Sequence, residues 1–463
     1  MPPRRNHHAS WLAVAIASVA LGAGAHANGR APYTNGVYFQ PNDNQSIYVR
    51  TTFGLFVSHD AGCSFRWTCE DSIGYGGTFD PDYAVAADGS LYATTYAGLR
   101  ISRDGGCTFA FAPAPLTGQW VDGIDLGSNG DVWVVTSNAA APNDVFRSTD
   151  GGVSFASAGL SAPATLWSSI LVAPSDPMHV YVTGFDQQES DTGSGSGSGS
   201  GSGAGPIAHL FSTTDAGSNW TASPLAGVEY GEAPRVVVAA VDPTNAQNVF
   251  VVSVGQAPPG DALYRSTDGG ATLAKVLATS QPIVGVVILD ASTVYVAAGT
   301  NAAGGGAFRS TDGGATFTAD PTAPQLVCLG KRPDGTLVGC ANNWDPDFMA
   351  VTTSSDGTSW QKVMRFAELD GVLDCPAGTI DHDDCDQVQW PSIQAQYGVI
   401  GPSSCPSATD VEVPDDAPSG PSTKPPAGCC GAGDGSPIGF AVLAVLVVWI
   451  VGARTTARRR HAG

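Results

Sequence analysis

A nine-residue turn sequence, Arg-Ser-Thr-Asp-Gly-Gly-Ala-Thr-Phe, recurs in close copies along this chain and constrains its fold more than any other feature. In the copy at residues 309 to 317, Asp312 can accept hydrogen bonds from backbone N–H groups of its own turn. Gly313 and Gly314 can adopt the positive φ of a tight reversal, and Phe317 starts the return strand as an apolar plug. Each copy therefore predicts a β-hairpin turn.

The pattern Ser/Thr-x-Asp-x-Gly-x-x-aromatic occurs five times, and two imperfect copies bring the total to seven. One imperfect copy has Leu273 in place of the aromatic residue, and the other reaches Trp360 one residue early. Successive aspartates are 44 to 65 residues apart, a period typical of one four-stranded propeller blade. We call these segments the Asp turns, and their aspartates are Asp60, Asp104, Asp150, Asp215, Asp268, Asp312 and Asp356.

A short apolar run precedes every Asp turn, as at residues 47 to 49 and 294 to 296, and each such run reads as a strand. A blade therefore consists of strand, turn, strand, loop, strand, Asp turn and strand. Unrelated hairpins in a sandwich would not keep two landmarks in register seven times. We predict an all-β fold, a single seven-bladed β-propeller of four-stranded blades over residues 33 to 366.

The Asp turns resemble the Asp-box (BNR) repeat of sialidase-like and sortilin-type propellers. The resemblance covers about the same residues as the predicted propeller. It implies that the turn aspartates are structural staples on the rim, away from the face where such propellers bind ligands. Because one fold serves many functions, the resemblance alone does not name an activity.

The beginning of the chain has the features of a signal peptide, predicted over residues 1 to 27. Arg4 and Arg5 give a basic start, an apolar run follows at residues 11 to 25, and Ala25-His26-Ala27 is a small-x-small cleavage site. We therefore expect the protein to be exported.

The end of the chain predicts an anchor. Residues 406 to 428 are rich in Pro, Ser, Asp and Thr, which predicts a disordered stalk. In residues 429 to 463, Cys429 and Cys430 precede an apolar segment and an arginine cluster. This order is that of a marginal transmembrane helix. It also resembles the myxobacterial C-terminal sorting signal (MYXO-CTERM). That resemblance implies processing near the cysteines and retention through a lipid. Both interpretations place the propeller at the cell surface or outer membrane, facing outward.

The charge of the chain bears on its partners. Its formal net charge is −21 at pH 7, so it would repel the phosphate backbone of nucleic acids. We expect a monomer that binds a glycan or an envelope protein, attached to the membrane by its C-terminal segment or a lipid.

Eight of the ten cysteines lie between the predicted signal peptide and the stalk, and an even number in an exported chain indicates disulfides. Cys328 and Cys340 flank a turn between two strands and are predicted to pair. Cys375 and Cys385 flank a short loop within a cysteine-containing extension, residues 367 to 405, and are a second candidate pair. The other pairings stay open.

The loops entering the first strand of each blade lie opposite the Asp turns, and aromatic and acidic residues are frequent in them. Flat rings stack on pyranose faces and carboxylates accept hydroxyl hydrogen bonds, so these loops suit sugars. The alternative is that the aromatic residues wedge between blades. The predicted ligand-binding residues are Tyr75, Trp120, Trp167, Tyr230, Arg235 and Trp344.

The sequence favours a binding or scaffolding role over catalysis. A sialidase needs a cluster of arginines for the substrate carboxylate, and its Arg-Ile-Pro motif is missing, so sialidase activity is disfavoured. A different glycoside hydrolase needs only two carboxylates and is the alternative function. A third possible function is that of an assembly factor that docks another exported protein. The catalytic candidates for a glycoside hydrolase are Asp71, Asp122, Glu232 and Asp345.

An acidic segment in the extension, residues 381 to 386, is a candidate site for structural calcium through Asp381 and Asp383. The alternative interpretation is a solvated acidic loop. No other cofactor or metal is expected.

Overall fold

The computed structural model describes residues 30–187, 207–231, 234–256, 260–300 and 306–402, which form seven antiparallel sheets in chain order. Each sheet contains four consecutive antiparallel strands, and the sheet of blade 1 gains a fifth strand from the extension, so the predicted seven-bladed propeller of four-stranded blades is confirmed. The predicted signal peptide, the stalk, Cys405, and the Cys429 and Cys430 segment lie outside the described residues. Among the helices of the described part of the chain, none combines the length and the apolar character needed to cross a bilayer.

The first four blades contain strands β1 to β16, numbered in chain order. Their bounds are Thr34–Phe39, Ile47–Thr51, Gly54–Ser58 and Arg66–Thr68 in blade 1; Tyr83–Val85, Leu91–Thr95, Gly98–Ser102 and Ala110–Phe111 in blade 2; Val121–Leu126, Val132–Thr136, Val145–Ser148 and Ala156–Ser157 in blade 3; and Thr165–Ala173, Asp176–Asp186, Ala208–Thr213 and Thr221–Ala222 in blade 4.

The last three blades contain strands β17 to β28. Their bounds are Val236–Asp242, Asn245–Gln256, Gly260–Ser266 and Ala274–Ala278 in blade 5; Ile283–Ile288, Val294–Ala298, Gly306–Ser310 and Thr318–Asp320 in blade 6; and Cys328–Lys331, Leu337–Cys340, Val351–Ser354 and Gln361–Met364 in blade 7. The first strand of each blade is the innermost and the fourth is the outermost.

The Asp turns join the third and fourth strands, and each is held by its own aspartate. In blade 6, the Asp312 carboxylate accepts hydrogen bonds from the backbone N–H of Thr316 at 3.0 Å and from its hydroxyl at 2.6 Å. The hydroxyl of Ser310 donates to Asp312 at 2.7 Å and accepts from the N–H of Gly314 at 2.8 Å. Gly313 and Gly314 have φ of 74° and 85°, as expected for this turn.

Seven apolar clusters hold the ring together, one between each pair of adjacent blades. The large ring in the middle of the second strand is almost fully buried in six blades, because it packs against the neighbouring sheet. These residues are Tyr48, Tyr92, Trp133, Tyr181, Phe250 and Tyr295. The propeller core is therefore distributed around the ring instead of lying at a single centre.

Blade 7 packs directly on blade 1 and closes the ring without exchanging a strand. The hydroxyl of Thr34, in the first strand of blade 1, donates to the carbonyl of Ala350 in blade 7 at 2.8 Å. Val49 and Phe56 of blade 1 share an apolar cluster with Val338 of blade 7. Side-chain packing therefore supplies the closure.

The extension that follows blade 7 crosses to blade 1. Its strand β29, Gly371–Val372, pairs in parallel with the outermost strand β4 and makes blade 1 five-stranded. A π-helix at Asp381–Gln389 and the α-helix Trp390–Tyr397 follow. Trp390 lies 6.1 Å from the ring of Trp67 in blade 1. The extension thus covers the outer edge of blade 1.

The disulfides show how the extension is fastened. Cys328 and Cys340 are paired as predicted. The predicted pair of Cys375 with Cys385 is wrong, because Cys385 is bonded to Cys69 in blade 1 and Cys375 to Cys107 in blade 2. Their short separation in sequence suggested a local loop, whereas the segment between them leads into a helix that directs each cysteine to a different blade. Cys63 is also disulfide-bonded.

Candidate functional site

One end of the propeller carries the loops that the sequence analysis singled out. Because consecutive strands are antiparallel, the turns between strands one and two and the Asp turns lie at the same end of each blade. The hairpins between strands two and three and the connections between blades lie at the other end. We call that end the loop face.

Three aromatic side chains form a contiguous surface on the loop face, which we call the aromatic platform. Phe79 comes from the connection between blades 1 and 2, Tyr96 from the hairpin between the second and third strands of blade 2, and Trp120 from the residue before blade 3. The ring of Tyr96 lies 4.5 Å from that of Phe79 and 4.9 Å from that of Trp120. Tyr96 is 52% exposed, so the platform presents a ring to solvent.

Local hydrogen bonds fix the platform. Thr95 at the base of the hairpin donates its hydroxyl to the carbonyl of Gly98 at 2.7 Å and accepts the N–H of Ala97 at 3.2 Å. The backbone N–H of Trp120 donates to the side-chain carbonyl of Asn138 at 2.8 Å. The rings therefore project from turns whose backbone is held in place.

Asp82 lies directly before the first strand of blade 2, and its backbone N–H donates to the hydroxyl of Thr94 at 2.9 Å. Its Oδ1 accepts hydrogen bonds from the guanidinium of Arg50 and from the hydroxyl of Tyr38, the latter at 3.2 Å. The Asp82 side chain is 49% exposed, and within the described residues its Oδ2 has no hydrogen-bond donor. One carboxylate oxygen is thus held by two donors, and about half of the side chain is open to solvent.

Asp122 lies at the start of the first strand of blade 3, beside the platform. Burial raises the pKa of its carboxyl to about 7, and the negative charge of Asp82 adds to this effect. The exposed guanidinium of Arg235 and the side chain of Trp120 act in the opposite direction. The charge of Asp122 therefore interacts with the charges of Asp82 and Arg235. These three side chains come from blades 2, 3 and 5 and lie where the propeller axis meets the loop face, which we call the axial mouth. We call Asp82 and Asp122 the carboxyl pair.

A cavity of about 570 Å³ opens beside Arg50. Asn35 and Arg50 link this axial cavity to the acidic side chains, because Asn35 donates to Asp80 at 2.7 Å and accepts from Arg50 at 2.9 Å. The volume of this cavity lies in the range of small-molecule sites, about 300–1,000 Å³. Its lining comes from blades 1, 6 and 7, namely Ala31, Tyr33, Asn35, Arg50, Pro282, Val284, Gly299, Thr300 and Val327.

The predicted ligand-binding residues lie in different parts of the structure. Trp120 and Arg235 lie at the axial mouth. Trp167 is only 2% exposed and packs between blades 3 and 4, so its predicted role in binding is wrong. Tyr75 and Tyr230 are partly buried against the clusters between blades 1 and 2 and between blades 4 and 5.

Trp344 lies elsewhere on the chain surface. It is 45% exposed, and its ring lies 5.7 Å from Phe366 at the end of blade 7. Within the described residues, the ring contacts of Trp344 do not include the aromatic platform.

Of the three predicted catalytic candidates that lie in the described residues, Asp122 belongs to the axial site. Asp71 accepts a hydrogen bond from the side chain of Gln389 in the extension at 2.7 Å. Asp345 is exposed in the hairpin of blade 7, and Glu232 lies outside the described residues. The contacts of Asp71 and the position of Asp345 do not bring either of them to Asp122.

The predicted calcium ligands do not converge. Asp381 and Asp383 lie in a helix, where residues two positions apart point away from each other. Asp381 is fully buried and accepts a hydrogen bond from Thr68 at 2.9 Å, whereas Asp383 is exposed and bonds to His382. The expected loop is a helix, and burial raises the pKa of Asp381 to about 7.

Phe79, Arg50, Asp82 and Tyr96 were missed by the sequence analysis. Asp82 lies two residues beyond residues 66 to 80, the loop predicted to enter the first strand of blade 2. Tyr96 lies in a hairpin between second and third strands, whose tip Tyr-Ala-Gly was a usable signal because an aromatic residue at an exposed turn is uncommon. Nothing in the sequence distinguished Arg50 within its strand.

No family model matches the chain, and no curated protein matches it. Solved structures similar to it include the GH74 enzyme of Niastella koreensis, at 17% identity and a TM-score of 0.40, covering 71% of this chain and 65% of the other. The GH74 xyloglucanase of Xanthomonas campestris has 16% identity and a TM-score of 0.41, and the match covers 74% of this chain and 67% of that chain.

YCF48 from Cyanidioschyzon merolae has 11% identity and a TM-score of 0.44, with 66% of this chain and 92% of that chain covered. The chain thus spans less than two thirds of the length of the Niastella enzyme. Likenesses of this size assign no activity to it.

Proposed function

We propose that this protein binds a glycan at the axial mouth of its loop face. The observation that carries the proposal is the aromatic platform beside the carboxyl pair. An exposed ring such as that of Tyr96 can stack on the apolar face of a pyranose. The free oxygen of Asp82 can accept hydrogen bonds from sugar hydroxyls, and the cavity next to Arg50 leaves room for a further part of the ligand.

The proposal includes an extracytoplasmic location, with the chain held at the cell surface by its C-terminal segment or a lipid and the propeller facing outward. Its support is the basic and apolar start of the sequence, the cysteine, apolar and arginine order at its end, and the disulfides of the propeller. Disulfides persist in oxidising compartments and are rare in the cytosol.

The test is retention of the purified chain on a panel of bacterial and plant polysaccharides, with Tyr96→Ala as the variant. Tyr96 is half exposed at a hairpin tip, so its removal should leave the melting temperature nearly unchanged. We expect the dissociation constant to rise about tenfold or more, since each ~1.4 kcal/mol of lost binding energy is tenfold.

The matched control is Phe111→Ala. Phe111 lies in the outermost strand of the same blade and is 42% exposed, but it contacts Arg100 instead of the platform. Equal binding by the Tyr96 and Phe111 variants would contradict the proposed site. Retention of a stoichiometric envelope protein that is lost in the Tyr96 variant, with no polysaccharide bound, would also contradict it and assign the platform to a protein ligand.

A further inference from the structure

The carboxyl pair consists of two acids in different surroundings at one site. Asp82 and Asp122 come from the entry ends of the first strands of adjacent blades, and their charges interact. In a propeller the first strands are innermost, so both acids lie near the axis. They are therefore brought together by the ring and not by their separation in sequence.

Asp82 is held in place through one of its two carboxylate oxygens. Oδ1 receives the guanidinium of Arg50 and the hydroxyl of Tyr38, and Arg50 is itself held by Asn35 at 2.9 Å. A hydrogen bond from a charged donor is stronger than a neutral one and fixes the orientation of the carboxylate. The second oxygen, Oδ2, is left for a water molecule or a substrate hydroxyl.

The surroundings of Asp122 favour its protonated form. Its side chain is largely removed from water next to the platform residue Trp120, and the charged groups facing it are Asp82 and Arg235. Desolvation outweighs Arg235, so the carboxyl titrates near neutral pH instead of near pH 4. At neutral pH and below, a substantial fraction of Asp122 carries a proton that it can donate.

Cleavage of a glycosidic bond needs one carboxylic acid and one carboxylate on either side of that bond. The aromatic platform adjoins Asp122, so a sugar stacked on it would have its linking oxygen near the acid. We propose that the loop-face site hydrolyses a glycosidic bond of the glycan that it binds, with Asp122 as the general acid and Asp82 as the base that activates water. This inference rests on the proposed function.

Asp122 transfers its proton to the glycosidic oxygen while the bond from that oxygen to the anomeric carbon breaks. A water oxygen forms the new bond to the anomeric carbon, and the water proton passes to Oδ2 of Asp82. The products are a free alcohol on one sugar and a hemiacetal on the other, and a proton returned from Asp82 to Asp122 through solvent restores the site.

The experiment measures release of reducing ends from each polysaccharide that the chain retains. Asp122→Asn keeps the shape of the side chain but removes its proton, and we expect the cleavage rate to fall about 100-fold or more, as for loss of a general acid, with binding retained. Asp82→Asn should also abolish cleavage. The control is Asp176→Asn at the opposite end of blade 4, which should cleave like the unaltered chain.

An aryl glycoside distinguishes chemistry from structure, because a phenolate leaves with little help from an acid. The loss caused by Asp122→Asn should therefore be much smaller on an aryl glycoside than on the polysaccharide, a difference that a merely structural role would not produce. Binding without any release of reducing ends, or release that survives Asp122→Asn, would overturn this inference while leaving the binding function intact. Absence of binding would overturn both.

Discussion

The ring of Phe250, in the second strand of blade 5, packs against Gly314 in the Asp turn of blade 6. A Cβ placed on Gly314 would lie 2.4 Å from Cζ of Phe250. Other blades use a hydrogen bond between the same two elements. The hydroxyl of Tyr92 donates to the backbone carbonyl of Gly151 at 2.9 Å, and the hydroxyl of Tyr295 donates to the backbone carbonyl of Asp356 at 2.8 Å. The two repeating features of the sequence, the central aromatic residue and the Asp turn, therefore contact each other across the blade interfaces.

Gly314→Ala should destabilise the propeller. The new methyl group would collide with a fully buried ring, and φ at this position is +85°, which disfavours any residue with a Cβ. We expect the free energy of unfolding to fall by about 1–3 kcal/mol, as measured by urea unfolding. Gly306→Ala in the same blade, where a Cβ meets nothing within 4 Å, is the control, and an equal loss in both variants would contradict this interpretation.

Asp150→Ala should lower the melting temperature at pH 7. Asp150 accepts hydrogen bonds from the N–H of Ser154 at 2.9 Å and from the hydroxyls of Ser154 and Ser148. These bonds, chiefly those from the two hydroxyls, lower the pKa of Asp150 to about 2.

The sign of the pH dependence of Asp150 follows from that shift. A carboxylate whose pKa is lowered by folding stabilises the fold above its ordinary pKa near 4, and this contribution disappears as the pH falls toward 2. The gap in melting temperature between the unaltered chain and Asp150→Ala should therefore close over that interval. Asp150→Asn, which keeps one acceptor oxygen, should lie between the two, and a gap that stays constant down to pH 2 would contradict the assignment.

The stability contribution of Asp122 should have the opposite pH dependence. Its pKa is raised to about 7 in the folded chain, so between pH 4 and pH 7 the folded state binds more protons than the unfolded state. Relative to Asp122→Asn, the unaltered chain should lose stability as the pH rises through this interval. The change should be on the order of a few kcal/mol, since one pKa unit corresponds to ~1.4 kcal/mol.

Denaturant unfolding of the two chains at pH 4.5 and pH 7.5 would measure this difference for Asp122. Comparing the two chains cancels the contributions of Asp125 and Asp381, whose pKa values are also raised by burial. A free-energy difference between the chains that does not change with pH would mean that Asp122 is ionised in the folded state throughout.

The two disulfides of the extension should act together. Cys69–Cys385 spans 316 residues and Cys107–Cys375 spans 268, and one loop is nested in the other. With either bond intact, the unfolded chain remains largely constrained, so each single removal should cost little. We expect removal of both, by Cys→Ser substitution, to lower the free energy of unfolding by about 2–4 kcal/mol and to exceed the sum of the single effects. Strict additivity of the two would argue against nesting as the cause.

The sequence alone was enough to predict the propeller, because the information that specifies each blade is local. The aspartate, glycines and hydroxyls of an Asp turn lie within seven residues, as at residues 310 to 316, and the strand that precedes it has its own apolar pattern. Cys328 and Cys340 were also predictable, since two residues facing each other across a hairpin lie close whatever the rest of the chain does.

The candidate site was predictable only in part. Trp120, Asp122 and Arg235 lie in loops that were singled out, and the structure places them at the axial mouth. Trp167 was predicted to lie in a comparable loop, but it belongs to the first strand of blade 4 and its ring packs in the interface between blades 3 and 4. The direction of a side chain relative to the neighbouring sheet depends on bulges and on the packing of that sheet, neither of which the sequence pattern of one blade contains.

The closed ring decided the rest. Arg50, Asp82 and Asp122 come from three blades, and they interact because seven sheets packed face to face bring the ends of their innermost strands to one axis. The same closure placed Cys69 and Cys107 beside the extension and separated Cys375 from Cys385. Local turn chemistry thus determined what each blade is, whereas contacts between residues distant in sequence determined which side chains share a site, because those distances exist only once all the blades have packed.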